Sequence, residues 1–494
     1  MRPAPEPRRR RRLTRWLVAV VVLAIGAVGT VELLTGHGQD SAPRAPSSRS
    51  HARAVGGAPP PSKESPVAGR RAAAVRALLA ARERAVRGHD RRAFLATVDH
   101  HDRESLAGQA RLFGNLARLP LSKFDYDLVP DSEGVADPKL LERYGTAHIW
   151  TPRVTLRYRL SGFDTRSLTV VRYLTLILRP GGWRVAGLAS GSDSTIFDLG
   201  SIHAARGRRS LVIGQAPRAE LRSIADRVDR AVPVVSEVWG TDWNRTAVVL
   251  VPDSQADATE LSPHHRTLSQ IAAVATVISG PHGVPPAGTG DRVIVNPKNF
   301  ARLSPLGRRV VLTHELTHIA TRQATTATVP MWLVEGFADY VGYHGLGLPA
   351  TRAASELTRK VRAGHLPSAL PTAEDFDGDS GNLSLAYEEG WLACRFIADR
   401  HGQDALVDLY RRMGSVRGHA EPEARRRIFR SVLGTDIGTF TRAWRSYLEA
   451  RLSGRADRAL DRGAGQLSEH GEAAEGVAVG LRRPTTTRSG EAQG

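Results

Sequence analysis

Cysteine is almost missing from this chain: Cys394 is the only one, so no intramolecular disulfide can form. Placed in an apolar stretch, it reads as a small buried hydrophobe. Lysine is nearly absent too, with only Lys63, Lys123, Lys139, Lys298 and Lys360. The formal net charge of +19 is therefore almost all arginine. A charge of that size normally points to an anionic partner. Here the arginines are scattered, and abundant Ala and Gly accompany them, which is the pattern of a GC-rich coding bias. Nucleic acid is accordingly not expected as a partner. Methionine occurs only at positions 1, 331 and 413. What remains is 494 residues, 41% of them hydrophobic: globular, and long enough for more than one core.

The longest apolar run lies near the N-terminus. A basic segment, 1–15, ends in "RRRRRLTR" and precedes "WLVAVVVLAIGAVGTVELL" at 16–34. As a helix this run would be about 28 Å long, close to the ~30 Å hydrocarbon core of a bilayer. The expectation is a single-pass transmembrane helix, N-terminus in the cytoplasm and the rest extracytoplasmic, because the arginines crowd its N-terminal side. A cleaved signal peptide is the rival reading. No Ala-x-Ala site lies just after the run and no lipobox cysteine follows it, which favours an uncleaved anchor in the cell membrane.

Residues 35–68, including "GGAPPPS", cannot bury a core and read as a disordered linker; 453–494 read as a disordered tail. Between them lie two units. The first, 69–196, opens with a helical stripe through Val75, Leu78, Leu79 and Val86, then alternates Val154, Leu156, Tyr158 and Leu160 against Arg153, Thr155, Arg157 and Arg159. A long strand, a "PGG" turn and a return strand ending in "WRVAGL" follow. Helices followed by a curved antiparallel sheet are similar to the NTF2-like cone fold. The second unit, 201–452, has strands "SLVIG", "TAVVLV" and "DRVIVN", then mostly helices. The fold class expected is α+β: a transmembrane helix, an NTF2-like domain, and a second unit with a small mixed sheet and a helical C-terminal part.

"RRVVLTHELTHIATRQ" contains no Gly or Pro and carries an apolar stripe through Val311, Leu312, Leu316 and Ile319. As a helix it puts His314 and His318 on one face at i and i+4, about 5–6 Å apart between Cβ atoms, so that both imidazoles can converge on one ion. Glu315 lies one residue round the helix, too far aside to be a good ligand and well placed as a general base. After Pro330, "MWLVEGFADYV" starts a second helix. From it Glu335 can supply a third ligand, and Asp339, one turn later, can accept the spare N–H of a ligand histidine.

At "HELTH" and "WLVEGFADY" the chain resembles the gluzincin metallopeptidases, the thermolysin-like and aminopeptidase-N-like group. The metzincin pattern is excluded, because Thr321 and Ala324 stand where it needs Gly and His. The resemblance implies Zn²⁺ on His314, His318 and Glu335, Glu315 as base, and a peptide or protein substrate. Sixteen residues separate His318 from Glu335, slightly fewer than in the best-known members. "LAYEEGW" is similar to the Tyr-Glu-x-Gly helix start of the aminopeptidase-N-like group, which implies that Tyr387 stabilises the oxyanion. That group's Gly-x-Met-x-Asn motif cannot be present, so aminopeptidase action is not implied. By order in the chain, "AAVATVIS" at 272–279 is the candidate substrate-lining edge strand.

Other metal-like stretches read as decoys. "DHHD", Asp99–Asp102, has adjacent residues that diverge on a helix; His264 and His265 follow a proline; "DFDGDSGN", Asp375–Asn382, has Ser380 where a calcium loop needs Gly. The sequence reading is a membrane-anchored zinc metallopeptidase. Its alternative is a membrane-tethered binding or sensing protein with an idle peptidase fold.

Overall fold

A computed structural model describes residues 66–145, 148–262, 271–277, 290–377, 380–416 and 421–453. The basic segment, the apolar run at 16–34, nearly all of the linker and tail, and His264 and His265 lie outside them. Among the described residues no helix is long and apolar enough to cross a membrane. The expected fold class is therefore corrected: the described residues are α+β and contain no membrane-spanning helix, the apolar run lying outside them.

The N-terminal unit begins with helices α1 (Pro66–Arg87), α2 (Arg91–Leu95) and α3 (Arg103–Leu116). Strand β1 (Leu121–Glu133), helix α4 (Pro138–Tyr144) and strands β2 (Ile149–Trp150), β3 (Pro152–Leu160), β4 (Leu168–Arg179) and β5 (Gly182–Leu188) follow. All pairings are antiparallel, in the order β1-β3-β4-β2, with β5 also on β4. The alternation read in β3 is real: Val154, Leu156, Tyr158 and Leu160 are buried and the residues between them half-exposed. Gly181 and Gly182 take φ of 93° and 110°, the left-handed region that the β4–β5 turn needs and that favours glycine. The "DHHD" stretch is structural. Asp99 is buried against Arg179, and Asp102 caps α3 by accepting from Glu104 and Ser105 N–H.

The second unit contains β6 (His203–Arg206), β7 (Ser210–Gly214), α5 (Arg218–Trp239), β8 (Ala247–Val251), α6 (Gln255–Leu261), β9 (Ala273–Val277) and β10 (Asp291–Val295). Its sheet runs β6-β7-β8-β10-β9, with β7, β8 and β10 parallel and β6 and β9 antiparallel at the edges. The central strands are buried along their whole length, as their continuous apolar runs require. Helices α7 (Pro297–Arg302), α8 (Pro305–Thr321), α9 (Met331–Gly342), α10 (Ala350–Ala353), α11 (Ser355–Arg362), α12 (Leu383–His401), α13 (Gln403–Ser415), α14 (Glu421–Leu433) and α15 (Ile437–Leu452) complete it.

One face of this sheet, with Val212, Val249 and Val293, packs on α5, α8 and α9. The other face presents Leu211, Ile213, Val248, Leu250, Val274 and Ile294. It shares a single apolar core with Phe113, Leu156, Tyr158 and Leu160 of the N-terminal unit and Phe197 of the connecting segment. Arg292 of β10 meets Asp164 in a buried, two-pronged ion pair at 2.9 and 3.1 Å. Asn115 of α3 pins the connecting segment, donating to Phe197 and Gly200 carbonyls and accepting from Ile202 N–H. The two units thus meet through a continuous interior.

Candidate metal centre

Helix α8 starts where Ser304 accepts from Gly307 N–H, with Pro305 pre-set for the first turn. Almost every residue from Val310 to Thr321 is buried, so α8 is a central helix and its polar groups must find partners inside. Thr313 and Thr317 do so by donating back to Arg309 and Thr313 carbonyls. Helix α9 is likewise buried from Trp332 to Asp339. Its burial brings Glu335 and Asp339 onto the α8 face that carries the histidines.

There His314 Nε2 and His318 Nε2 lie 2.9 Å apart, and Glu335 Oε2 lies 3.3 and 3.4 Å from them. Ligands held tetrahedrally at about 2.0–2.1 Å from one ion are separated by roughly 3.3–3.4 Å. The two distances to Glu335 match that separation, and a small parting of the closer histidine rings lets all three residues hold one metal ion. They are the one group of such residues among those described whose ligand atoms converge, all within 4.8 Å of one another. Asp339 Oδ1 accepts from His314 Nδ1–H at 2.8 Å, which leaves Nε2 of that ring to face the other two ligands. In "DFDGDSGN", Asp375 turns instead to Thr372, accepting from its N–H and hydroxyl.

Glu315 is fully buried. Its Oε2 accepts from Ala275 N–H of edge strand β9 at 2.6 Å, while its Oε1 has no hydrogen-bond partner. Tyr387, near the start of α12, is also buried. Its ring lies 6.2 Å from that of His314 and its hydroxyl makes no hydrogen bond of ordinary geometry. The open oxygen of Glu315 therefore keeps hydrogen-bonding capacity beside the three-ligand cluster.

The charges push one another strongly. Burial lifts the Glu315 carboxyl to about 7, against the pull of His314 and His318. Burial would raise Glu335 as well, but His318 and His314 overcome it and hold that carboxylate at about 2. For His314, burial opposes the charged ring and the carboxylates of Asp339 and Glu335 prevail, holding it well above the usual imidazole range. Burial and the negative charge of Glu335 push the Tyr387 phenol far up, so it stays a donor. The net field is one that retains a cation.

All six sequence-derived residues meet in this one place: His314, His318, Glu335, Asp339, Glu315 and Tyr387. Two features were not foreseen. The edge strand was placed by order alone, and its Ala275 N–H turns out to hold Glu315. Helices α9 and α12 also cross at glycines, Gly336 against Gly390. Glycine inside a helix, in "EGF" and "EEGW", was the available signal for that contact.

Known proteins resemble part of this chain. Residues 292–450, from within β10 to α15, match the model of the Peptidase MA superfamily. Among solved structures the chain is similar to an M1 zinc metallopeptidase from Deinococcus radiodurans, a glutamate-to-alanine mutant bound to a Tyr-Ser-Ala substrate. Identity is 17%, 56% of this chain and 59% of that one are covered, and the TM-score is 0.29. A two-domain M1 zinc metallopeptidase mutant bound to L-tryptophan matches at 16% identity, 56% and 59% coverage and TM-score 0.28. The chain thus spans less than two thirds of these structures. No curated protein matches.

Proposed function

We propose that the protein is a zinc-dependent peptidase that hydrolyses peptide bonds. The observation carrying this reading is the convergence of His314, His318 and Glu335 beside a buried carboxylate with one oxygen held and the other open. In this reading His314, His318 and Glu335 hold Zn²⁺, which when bound polarises the scissile carbonyl and makes water more acidic. Ala275 N–H fixes Glu315, so that its open Oε1 takes a proton from the attacking water and passes it to the leaving nitrogen. Tyr387 donates its O–H to the oxyanion that develops on the carbonyl. Asp339 keeps the His314 ring oriented by holding its Nδ1 proton. Strand β9 is the sheet edge beside Glu315. Because alternate residues of an edge strand turn their backbone groups outward, Ala273 and Val277 offer N–H and C=O to an extended peptide.

The helix-then-antiparallel-sheet order supports reading residues 69–196 as an NTF2-like unit, whose helices and sheet back the catalytic sheet. The test is metal content of the purified protein together with cleavage of a broad peptide library. About one zinc per chain and cleavage are expected. Zinc without cleavage of any peptide would sink the peptidase reading in favour of a binding protein.

A further inference from the structure

Tyr387 can act only if α12 lies close to α9, since Glu335 is on α9 and Tyr387 on α12. Two residues control that approach. Gly336 follows Glu335, and Gly390 stands three residues after Tyr387, on the same side of its helix. A Cβ added at Gly336 would run into the backbone carbonyl of Gly390. One added at Gly390 would sit 2.9 Å from the Trp332 carbonyl oxygen, just inside the closest approach that real Cβ atoms make. Neither glycine has a left-handed φ, so its backbone conformation does not call for it. Both stand inside helices, where glycine costs about 1 kcal/mol relative to alanine. The close crossing is what these positions gain in exchange. Phe376 packs edge-on against the Tyr387 ring, 5.3 Å between centroids.

We propose that Gly336 and Gly390 are positioning residues: their backbone-to-backbone contact sets the distance from the Tyr387 hydroxyl to the His314–His318–Glu335 cluster. The inference rests on the peptidase reading. It goes further by assigning the crossing a catalytic purpose exerted through Tyr387. Because the two contacts differ in severity, they make a graded series. Gly390→Ala needs α12 to shift by a few tenths of an ångström against one carbonyl oxygen. Gly336→Ala forces two backbones apart. Displacement of a reacting group by about 1 Å can cost 10²-fold.

The experiment compares wild type, Gly390→Ala, Tyr387→Phe and the double variant. It measures kcat and KM on a cleaved peptide, zinc per chain, and calorimetric affinity for a phosphinate peptide, whose anionic oxygens imitate the oxyanion. Gly390→Ala should lower kcat by about 10- to 10²-fold with little change in KM. Zinc should stay at the wild-type level and phosphinate affinity should fall in step with kcat. In the Tyr387→Phe background the glycine change should add almost nothing. Gly336→Ala, where it folds, should lose more than Gly390→Ala. Wild-type kcat in Gly390→Ala, or a full additional loss in the Tyr387→Phe background, would overturn the inference while leaving the peptidase intact. So would zinc lost in proportion to activity, since the crossing would then act on the ligands. A wild type that neither cleaves peptides nor binds the phosphinate would overturn the peptidase reading itself, and this inference with it.

Discussion

Two buried charge clusters, one at the junction of the units and one within the second unit, are opposites. At the junction of the units, Arg292 and Asp164 meet fork to fork, Asp164 also accepts from Leu160 N–H, and Arg292 also donates to the Asp291 carbonyl. Beside α8, three carboxylates and two imidazoles crowd together, and Glu315 Oε1 is left without a hydrogen-bond partner. Both are buried, except that His318 is partly exposed. The first cluster has used the hydrogen-bonding capacity the fold gave it and has only shape left to maintain. The second keeps capacity in reserve at a site where water or a substrate carbonyl could take it up. Open capacity, more than burial or charge, separates a structural cluster from a reactive one.

The sharpest way to break that contrast is Glu315→Gln. It preserves shape and the bond from Ala275 N–H but removes the proton acceptor. Peptide hydrolysis should fall about 10²–10⁴-fold with zinc retained, measured by single-turnover cleavage and metal analysis on the same sample. If that variant cleaves like wild type, the open oxygen is not the base. Asp164→Ala tests the other cluster. Arg292 would be left buried without its partner, at a cost of roughly 3–5 kcal/mol of stability. Urea unfolding should register this, while zinc content and kcat of the molecules that remain folded stay unchanged. A kcat loss there would mean that the junction reaches the catalytic centre.

Asp339→Ala is intermediate, since it frees the Nδ1 proton of His314 without touching a ligand atom. Zinc affinity should weaken about 10- to 100-fold in a chelator competition, with the fold retained. An unchanged affinity would show that ring orientation is set elsewhere. The smallest effect is expected at Glu388, a half-buried carboxylate satisfied by neutral donors alone, the N–H groups of Glu356 and Leu357. Burial raises it to about 7, above its value in the unfolded chain. The folded protein then holds the extra proton, so stability contributed at low pH declines as pH rises from about 4.5 to 7. Glu389, which burial also raises to about 7, titrates in the same window, so the test is a difference. Glu388→Gln should flatten part of the decline in melting temperature seen for wild type over that range. An identical slope would show that Glu388 does not carry it.

The parts of this site that could be read from sequence are those in which one local period fixes the geometry. His314 and His318 share a face because of helix pitch, as do Glu335 and Asp339, and both helices announce themselves by apolar stripes and a proline between them. Tyr387 came from likeness to a known helix start. Its neighbours Gly336 and Gly390 did not, because a backbone contact leaves no side-chain pattern beyond the bare glycines. Ala275 is the extreme case: its contribution is an N–H that any residue but proline would supply. The Asp164–Arg292 pair spans 128 residues, and nothing local announces such a partnership. The alternating strand β3 and the glycine turn before β5 were legible for the same reason as α8. Which sheet face would meet which unit was not, because each face is apolar and periodicity does not name its partner. The apolar run at 16–34 was the loudest signal in the chain and belongs to none of the described elements.

The sheet of the second unit is finished on one side by α5, α8 and α9 and on the other by the first unit. The recognisable superfamily segment, 292–450, begins inside β10, at the very residue whose guanidinium reaches across to Asp164. Anyone excising that segment as a minimal enzyme would discard β6 to β9, the strand that holds Glu315, and the whole of the first unit. Even a cut at 201 would bare Leu211, Ile213, Val248, Leu250 and Ile294 to solvent. In evolutionary terms, the two halves are no longer interchangeable parts: a gene that borrowed one would have to bring the other or re-invent the surface it covers.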